Sequence, residues 1–233
     1  MELDIAQEDH RVRVARERRK RMKAHLLNAV MAVCGDGAPN SPKVIDDVVA
    51  YAEVSRGTFY KYFTSMDEAI AELVSQLAEE MTIGIAPIHA KLTDPREKTA
   101  TGSQIFMRRA MYDPHWGGFI AHIGLLTPDN LMIQHMVSDI RQGIEAGFYT
   151  LPSIESGLDL LVGTKVEAIR RITRGAGQVQ ETYPQVISAL ILRGFGVPMN
   201  DAESISNAMA QRLEKAMPII FQEDQAHEGA SLF

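Results

Sequence analysis

A chain of 233 residues, 45% hydrophobic with a mean hydropathy of -0.10, is long enough to bury a sizeable core and reads as a soluble globular protein. Its single cysteine, Cys34, excludes an intramolecular disulfide, the N-terminus lacks the apolar segment of a secretory signal, and no apolar run reaches the roughly 20 residues of a membrane-spanning helix. The net charge of -6 would argue against a nucleic-acid partner, but it is unevenly distributed. From His10 to Ser65 eleven basic residues face five acidic ones, whereas beyond Ser65 thirteen face twenty-one. A basic front end on an acidic body is the asymmetry expected of a DNA-reading module joined to an effector domain.

Residues 1–9 read as a polar tail. Arg11, Arg13, Arg16, Arg18, Arg19, Lys20, Arg21 and Lys23 then form a dense basic run. It suits a solvated helix face or an arm touching phosphates or the minor groove, and the sequence leaves both open. Met22, Leu26, Ala29, Val30 and Val33 recur at helical spacing and predict a first helix over Val14–Val33, broken by Gly35 to Asn40. Ser41-Pro42 predicts a restart, with Ser41 as cap and Pro42 in the first turn, running to about Ala52. Ser55 caps a third helix to about Phe63. Ser65 caps a fourth, with Asp67 and Glu68 where the helix dipole favours negative charge. The apolar stripe Ile70, Leu73, Val74, Leu77 and Met81 carries this fourth helix to about Leu92, across Pro87. Further helices are predicted from Asp94-Pro95 to Asp113-Pro114, Trp116 to Leu126, Asp129 to Ala146, Pro152-Ser153 to Arg174, Glu181 to Phe195 and Asp201 to Phe221, with 223–233 as a second tail. No stretch alternates with period two. The fold class is all-α, with nine or ten helices.

The stretch Val48 to Phe63, VVAYAEVSRGTFYKYF, organises the rest. Two short helices joined by a tight turn, the second rich in Arg, Lys, Thr and Tyr, make a helix-turn-helix. The pattern Val48-Val49-x-x-Ala52-Glu53-Val54-Ser55-Arg56-Gly57-Thr58-Phe59-Tyr60-Lys61-Tyr62-Phe63 resembles the signature of the TetR/AcrR family of transcriptional regulators. The resemblance implies a three-helix DNA-binding domain over 10–65 and a larger C-terminal effector-binding and dimerisation domain over 66–222. It implies DNA contacts by Ser55, Arg56, Gly57, Thr58, Tyr60, Lys61 and Tyr62. Arg56 and Thr58 would read base edges, and Tyr60, Lys61 and Tyr62 would meet phosphates and edges. Ala52, Val54, Phe59 and Phe63 would be core. Three positions depart from the family pattern. Glu53 replaces the turn glycine, so the turn is expected to form without the easy positive φ of Gly. Val44 replaces the usual Thr of the second helix, and Met66 replaces a phosphate-binding lysine.

In the C-terminal part the resemblance is of architecture, and it implies a ligand site inside the bundle and dimerisation through late helices. Leu158, Leu160, Leu161, Val162, Val166 and Ile169 read as apolar nearly all round one helix, and Val186, Ile187, Ala189, Leu190, Ile191 and Leu192 round another. A helix apolar on every side is buried on every side, which favours a homodimer. Phe106, Met111, Tyr112, His115, Trp116, Phe119, His122, Met132 and His135, with Met107 and Met136, concentrate soft and aromatic side chains and are the candidate lining for a mainly apolar ligand. Residue by residue, core packing explains them equally well. His115 and His122 lie two turns apart, about 10 Å along an axis, too far to share a metal ion, so none is expected. No cofactor is expected, and no catalytic motif stands out. The reading is a cytoplasmic, dimeric DNA-binding regulator, a repressor released by a small effector from a pseudo-palindromic operator. The alternatives are an activator or ligand-independent regulator of the same fold, or a helical enzyme.

Overall fold

A computed structural model describes residues 10–36, 44–123, 131–175 and 179–220. Ten α-helices and no strand occur among the described residues: α1 (His10–Asp36), α2 (Ile45–Tyr51), α3 (Arg56–Tyr60), α4 (Met66–His89), α5 (Pro95–Tyr112), α6 (Pro114–His122), α7 (Leu131–Glu145), α8 (Ile154–Arg174), α9 (Tyr183–Gly194) and α10 (Met199–Ile220). Among those residues no helix is long and apolar enough to cross a membrane.

Short polar side chains set most of the boundaries. Ser65 accepts from the Glu68 amide, Asp94 from Arg96 and Ser153 from Ser156, each satisfying an N-terminal donor that the helix leaves open. Asp113 serves two helices: its amide donates to the Arg109 carbonyl, ending α5, while its carboxylate accepts from the Trp116 amide, opening α6. That is why α6 begins at Pro114, two residues before the predicted start. The first helix reaches back to His10, so the basic run is helical as far as it is described. The second helix begins at Ile45, not at Ser41. Val44 occupies the cap position with no side-chain bond, and Asp46 and Asp47 complement the dipole instead. Ser41, Pro42, the predicted end of α6 at Leu126 and both tails lie outside the described residues.

The centre of the body is α5, which packs against α4, α6, α7, α8, α9 and α10. Its buried Gln104 donates to the Ser188 hydroxyl of α9 at 3.1 Å and to the Ser206 carbonyl of α10 at 2.8 Å, tying three helices through one amide. The Tyr149 hydroxyl donates to the Pro95 carbonyl at 2.9 Å and lies 2.9 Å from Thr99 Oγ1, pinning the segment after α7 to the start of α5.

One apolar core runs without a break from Leu26, Val30, Phe59 and Phe63, through Leu77 of α4, to Trp116, Phe119 and Ile169. The helix-turn-helix and the body therefore share an interior. Their tightest joint is between backbones, for α1 makes its most extensive packing contact with α6. A Cβ added at Gly118 would lie 2.5 Å from the Gly35 carbonyl oxygen, and one at Gly35 would lie 2.6 Å from the His115 carbonyl oxygen. Only residues without a Cβ permit this approach. Because the obstacle is main chain, Gly118→Ala is expected to destabilise the fold by about 1–3 kcal/mol, read as a lower denaturation midpoint. An unchanged midpoint would show that the joint is slack.

Candidate nucleic-acid interface and effector cavity

Between α2 and α3 the chain turns at Glu53, whose φ of 52° makes it the one non-glycine residue with positive φ among those described. The turn is built without glycine, as expected, and Glu53 itself takes the left-handed conformation, at a cost of about 1–2 kcal/mol for an L side chain. The turn is fastened from outside, since His25 Nε2 of α1 donates to the Ala52 carbonyl at 2.9 Å. Ser55 then caps α3, accepting from the Thr58 amide at 3.1 Å, with its hydroxyl 3.0 Å from Thr58 Oγ1.

Phe59 and Phe63 anchor α3 in the core with ring centroids 5.5 Å apart. Ser55, Arg56, Gly57, Tyr60 and Lys61 remain on the exposed side, and Thr58 and Tyr62 are half-buried. A Cβ at Gly57 would meet nothing closer than Ser55 Oγ at 3.7 Å, so its smallness answers no internal crowding. Arg56 is not free as it stands. It makes a bidentate pair with Asp46 of α2, at 2.5 and 2.7 Å. Both side chains are about three-fifths exposed, and such a pair holds by no more than about 1 kcal/mol, so a phosphate or base edge can displace it. Behind α3, Arg19 of α1 stacks over Tyr62 and Lys23 over Phe63, each 5.6 Å from the centroid. Met66 begins α4 and packs against the core. Nearby, the Glu68 carboxylate accepts from the Thr64 amide and hydroxyl, both at 2.5 Å, bonds that hold it below the usual carboxylate range.

A cavity of about 350 Å³ lies in the body. Its walls are Thr82, Ile85, Ala86 and His89 of α4; Lys98, Thr99, Gly102, Ser103 and Phe106 of α5; Met132, His135, Met136, Ser138, Asp139 and Gln142 of α7; and Leu161 and Lys165 of α8. Of the candidate lining residues, Phe106, Met132 and His135 are here, with Met136. The other six are elsewhere. Trp116 and Phe119 are buried core, Met111 packs against that core, and Tyr112 and His115 are exposed. His122 is half-buried with Nδ1 2.8 Å from the Gly118 carbonyl. The polar lining was missed because it comes from four helices, and Lys98, Lys165 and His89 are unremarkable in their local contexts. One signal was available. Leu161, Lys165, Ala168, Ile169 and Ile172 form the buried stripe of α8, and Lys165 is its one charge.

The two cavity lysines differ in kind. Lys98 Nζ lies 3.5 Å from Asp139 Oδ1 and donates to Gln142 Oε1 at 3.3 Å. Lys165 is only 6% exposed, its amine 3.5 Å from Met136 Sδ and 4.9 Å from the Phe106 ring centre. No carboxylate among the described residues pairs with it, and burial pulls its pKa down to about 7. His89 is pushed down to about 4, first by burial and then by the positive charges of Lys98, His135 and Lys165, and its Nε2 is buried without a hydrogen-bond partner.

Residues 94–208 match the model of the tetracyclin repressor-like C-terminal domain. No curated protein matches the sequence. Among solved structures, RolR in complex with resorcinol aligns at 23% identity over 82% of this chain and 95% of its own, with a TM-score of 0.58. A putative TetR-family transcription regulator from Shewanella sp. PV-4 aligns at 17% over 74% and 97%, with a TM-score of 0.61. A gamma-butyrolactone receptor aligns at 16% over 85% and 98%, with a TM-score of 0.57. At such identities the likeness is one of fold.

His89 makes the fold sensitive to acid. The native ring stays neutral down to about pH 4, while the unfolded chain takes up its proton near 6.5, so stability falls as pH drops through that window. Denaturation midpoints between those values should decline less steeply in His89→Gln than in the parent; parallel slopes would refute this account.

Taken together, the helix-turn-helix, the ten helices among the described residues and the match of 94–208 to a tetracyclin repressor-like C-terminal domain make the chain similar in fold to TetR-family transcription regulators.

Proposed function

We propose that the protein is a cytoplasmic, dimeric, sequence-specific DNA-binding repressor, released from a pseudo-palindromic operator by a small molecule bound in the cavity. The observation that carries this reading is the double position of α4: its cap, Ser65, follows the reading helix by a few residues, and its far end walls the cavity with Thr82, Ile85, Ala86 and His89. A ligand that prefers one setting of α4 then biases the reading helix through a single rigid element. The neighbours solved with resorcinol and named as a gamma-butyrolactone receptor support a small effector. In this reading residues 10–65 form the DNA-binding unit and 66–222 the effector and dimerisation unit.

Arg56 and Thr58 read base edges, Arg56 after leaving Asp46. Tyr60 and Lys61 contact phosphates from the exposed side of α3. Ser55 holds the helix start, Gly57 gives close approach, and Tyr62 contributes less because Arg19 covers it. The basic face of α1 adds phosphate contacts. For the dimer, α8 and α9 supply exposed apolar side chains, Leu160, Val186 and Leu190. These helices are more amphipathic than the sequence suggested. Leu161, Ile169, Ala189, Ile191 and Leu192 face inward, Val162, Val166 and Ile187 are half-buried, and Asp159 and Glu167 are exposed. The unpartnered stripe is what a second copy would cover, placing two reading helices about 34–36 Å apart, one turn of DNA. An activator would use the same contacts with the opposite transcriptional outcome, and a reporter fused to the selected operator decides the sign.

On DNA selected by the protein, Lys61→Ala and Tyr60→Phe should weaken binding across sequences, while Arg56→Ala and Thr58→Ala should also relax preference at particular base pairs, by about 1–3 kcal/mol. Four variants with parental affinity would sink the assignment. Sedimentation should show Leu190→Glu as a monomer with much reduced operator affinity; a dimer that survives it would place the interface elsewhere.

A further inference from the structure

The cavity contains a charge without a counter-charge. Lys98 is answered by Asp139, whereas the Lys165 amine has three N–H donors and only a thioether sulfur and an aromatic face beside it. It is more than nine-tenths buried and opens onto the cavity wall. A second unsatisfied donor or acceptor, His89 Nε2, lines the same space. A buried ammonium is tolerated when an anion completes it. The remaining wall near Lys165 is apolar, made by Phe106, Met136 and Leu161. The volume stands at the small end of the roughly 300–1,000 Å³ of ligand pockets, enough for one ring or a short acyl chain.

We infer that the effector is a small carboxylic acid whose carboxylate pairs with the Lys165 ammonium and whose apolar body lies against Phe106, Met136 and Leu161. This rests on the regulator reading only for the word effector; the site itself stands on the cavity. The acid keeps the mainly apolar body of the expected ligand and adds one obligatory charge. It also accounts for the lone amine, because its carboxylate replaces the lost hydration and holds the proton on Lys165. The groups that share the cavity with that amine are His89 from α4, Lys98 from α5 and His135 and Asp139 from α7.

The test is calorimetric titration of the full chain with benzoate, phenylacetate and hexanoate, each against its carboxamide. At least one acid should bind about tenfold or more tightly than its amide. The preference should disappear in Lys165→Met, with Lys165→Gln as a second variant should the first fail to fold. Near pH 8, where the free amine is largely neutral, acid binding should take up a proton in the parent and none in the variants. Equal affinity for acid and amide, no binding across the panel, or an acid preference intact without Lys165 would overturn the inference. Gel shifts on selected DNA separate the two readings. A parent protein that binds no DNA sinks the regulator reading alone, and an acid preference that ignores Lys165 sinks this one alone.

Discussion

The backbone contact of Gly35 with Gly118 is the constraint on which the relation between reading helices and body depends. Side-chain contacts between helices yield by rotamer changes, but two main chains within van der Waals reach cannot move past one another without the whole helix moving. The end of α1 is therefore fixed on α6. The rest of α1 is fixed on the helix-turn-helix, through His25 on the Ala52 carbonyl and through Arg19 and Lys23 over Tyr62 and Phe63. A displacement of α6 would therefore carry α1 and the helix-turn-helix with it.

On the proposed function, this gives the cavity two mechanical routes to the face of α3 that would meet DNA. One is α4, which walls the cavity with its last two turns and starts beside α3. The other runs from α8 through α6 to α1, elements that pack on one another in that order. Lys165 lies on α8 and His89 on α4, so a ligand held between them would engage both routes at once. Coupling of this kind needs only that the two settings of the bundle differ in affinity for the ligand, and it acts equally in reverse, with DNA altering ligand affinity.

Much of the frame was legible in the residues. Ser55 and Ser65 cap the helices they were expected to cap, and helices begin as expected at Asp94-Pro95 and after Pro152-Ser153, because a short oxygen-bearing side chain before an apolar period has a local reason to be there. The placement of Phe59 and Phe63 in the core followed from their spacing alone. Where local chemistry was ambiguous the sequence misled. Val44 offers no cap and Asp46 and Asp47 complement the dipole at the start of α2, while Ser41, the expected cap, lies outside the described residues. Glu53 takes the left-handed conformation in place of the missing glycine, which its residue type does not announce. The cavity was least legible, since aromatic and methionine clusters mark cores as readily as pockets. Trp116 and Phe119 proved to be core, while the polar lining is assembled by long-range packing from residues as far apart as Thr82 and Lys165.

What separates the cavity from ordinary core is the difference between its two lysines. Lys98 has a partner on α7 and would be satisfied in an empty cavity. Lys165 would not, and its pKa near 7 is the measure of that deficit. A methionine of similar length would fill the same space without desolvating an amine, so packing gives no reason for a lysine at this point of an otherwise apolar stripe. The deficit has a use in a switch, however. An uncompensated charge weakens the unliganded bundle in the place where α4, α5, α7 and α8 meet, and an arriving anion repairs it there. The free energy of that repair depends on how closely the four helices gather round the amine, which is the differential affinity that a population shift requires. An apolar ligand in an apolar cavity would gain nearly as much from either arrangement; a charge that must be enclosed gains from one.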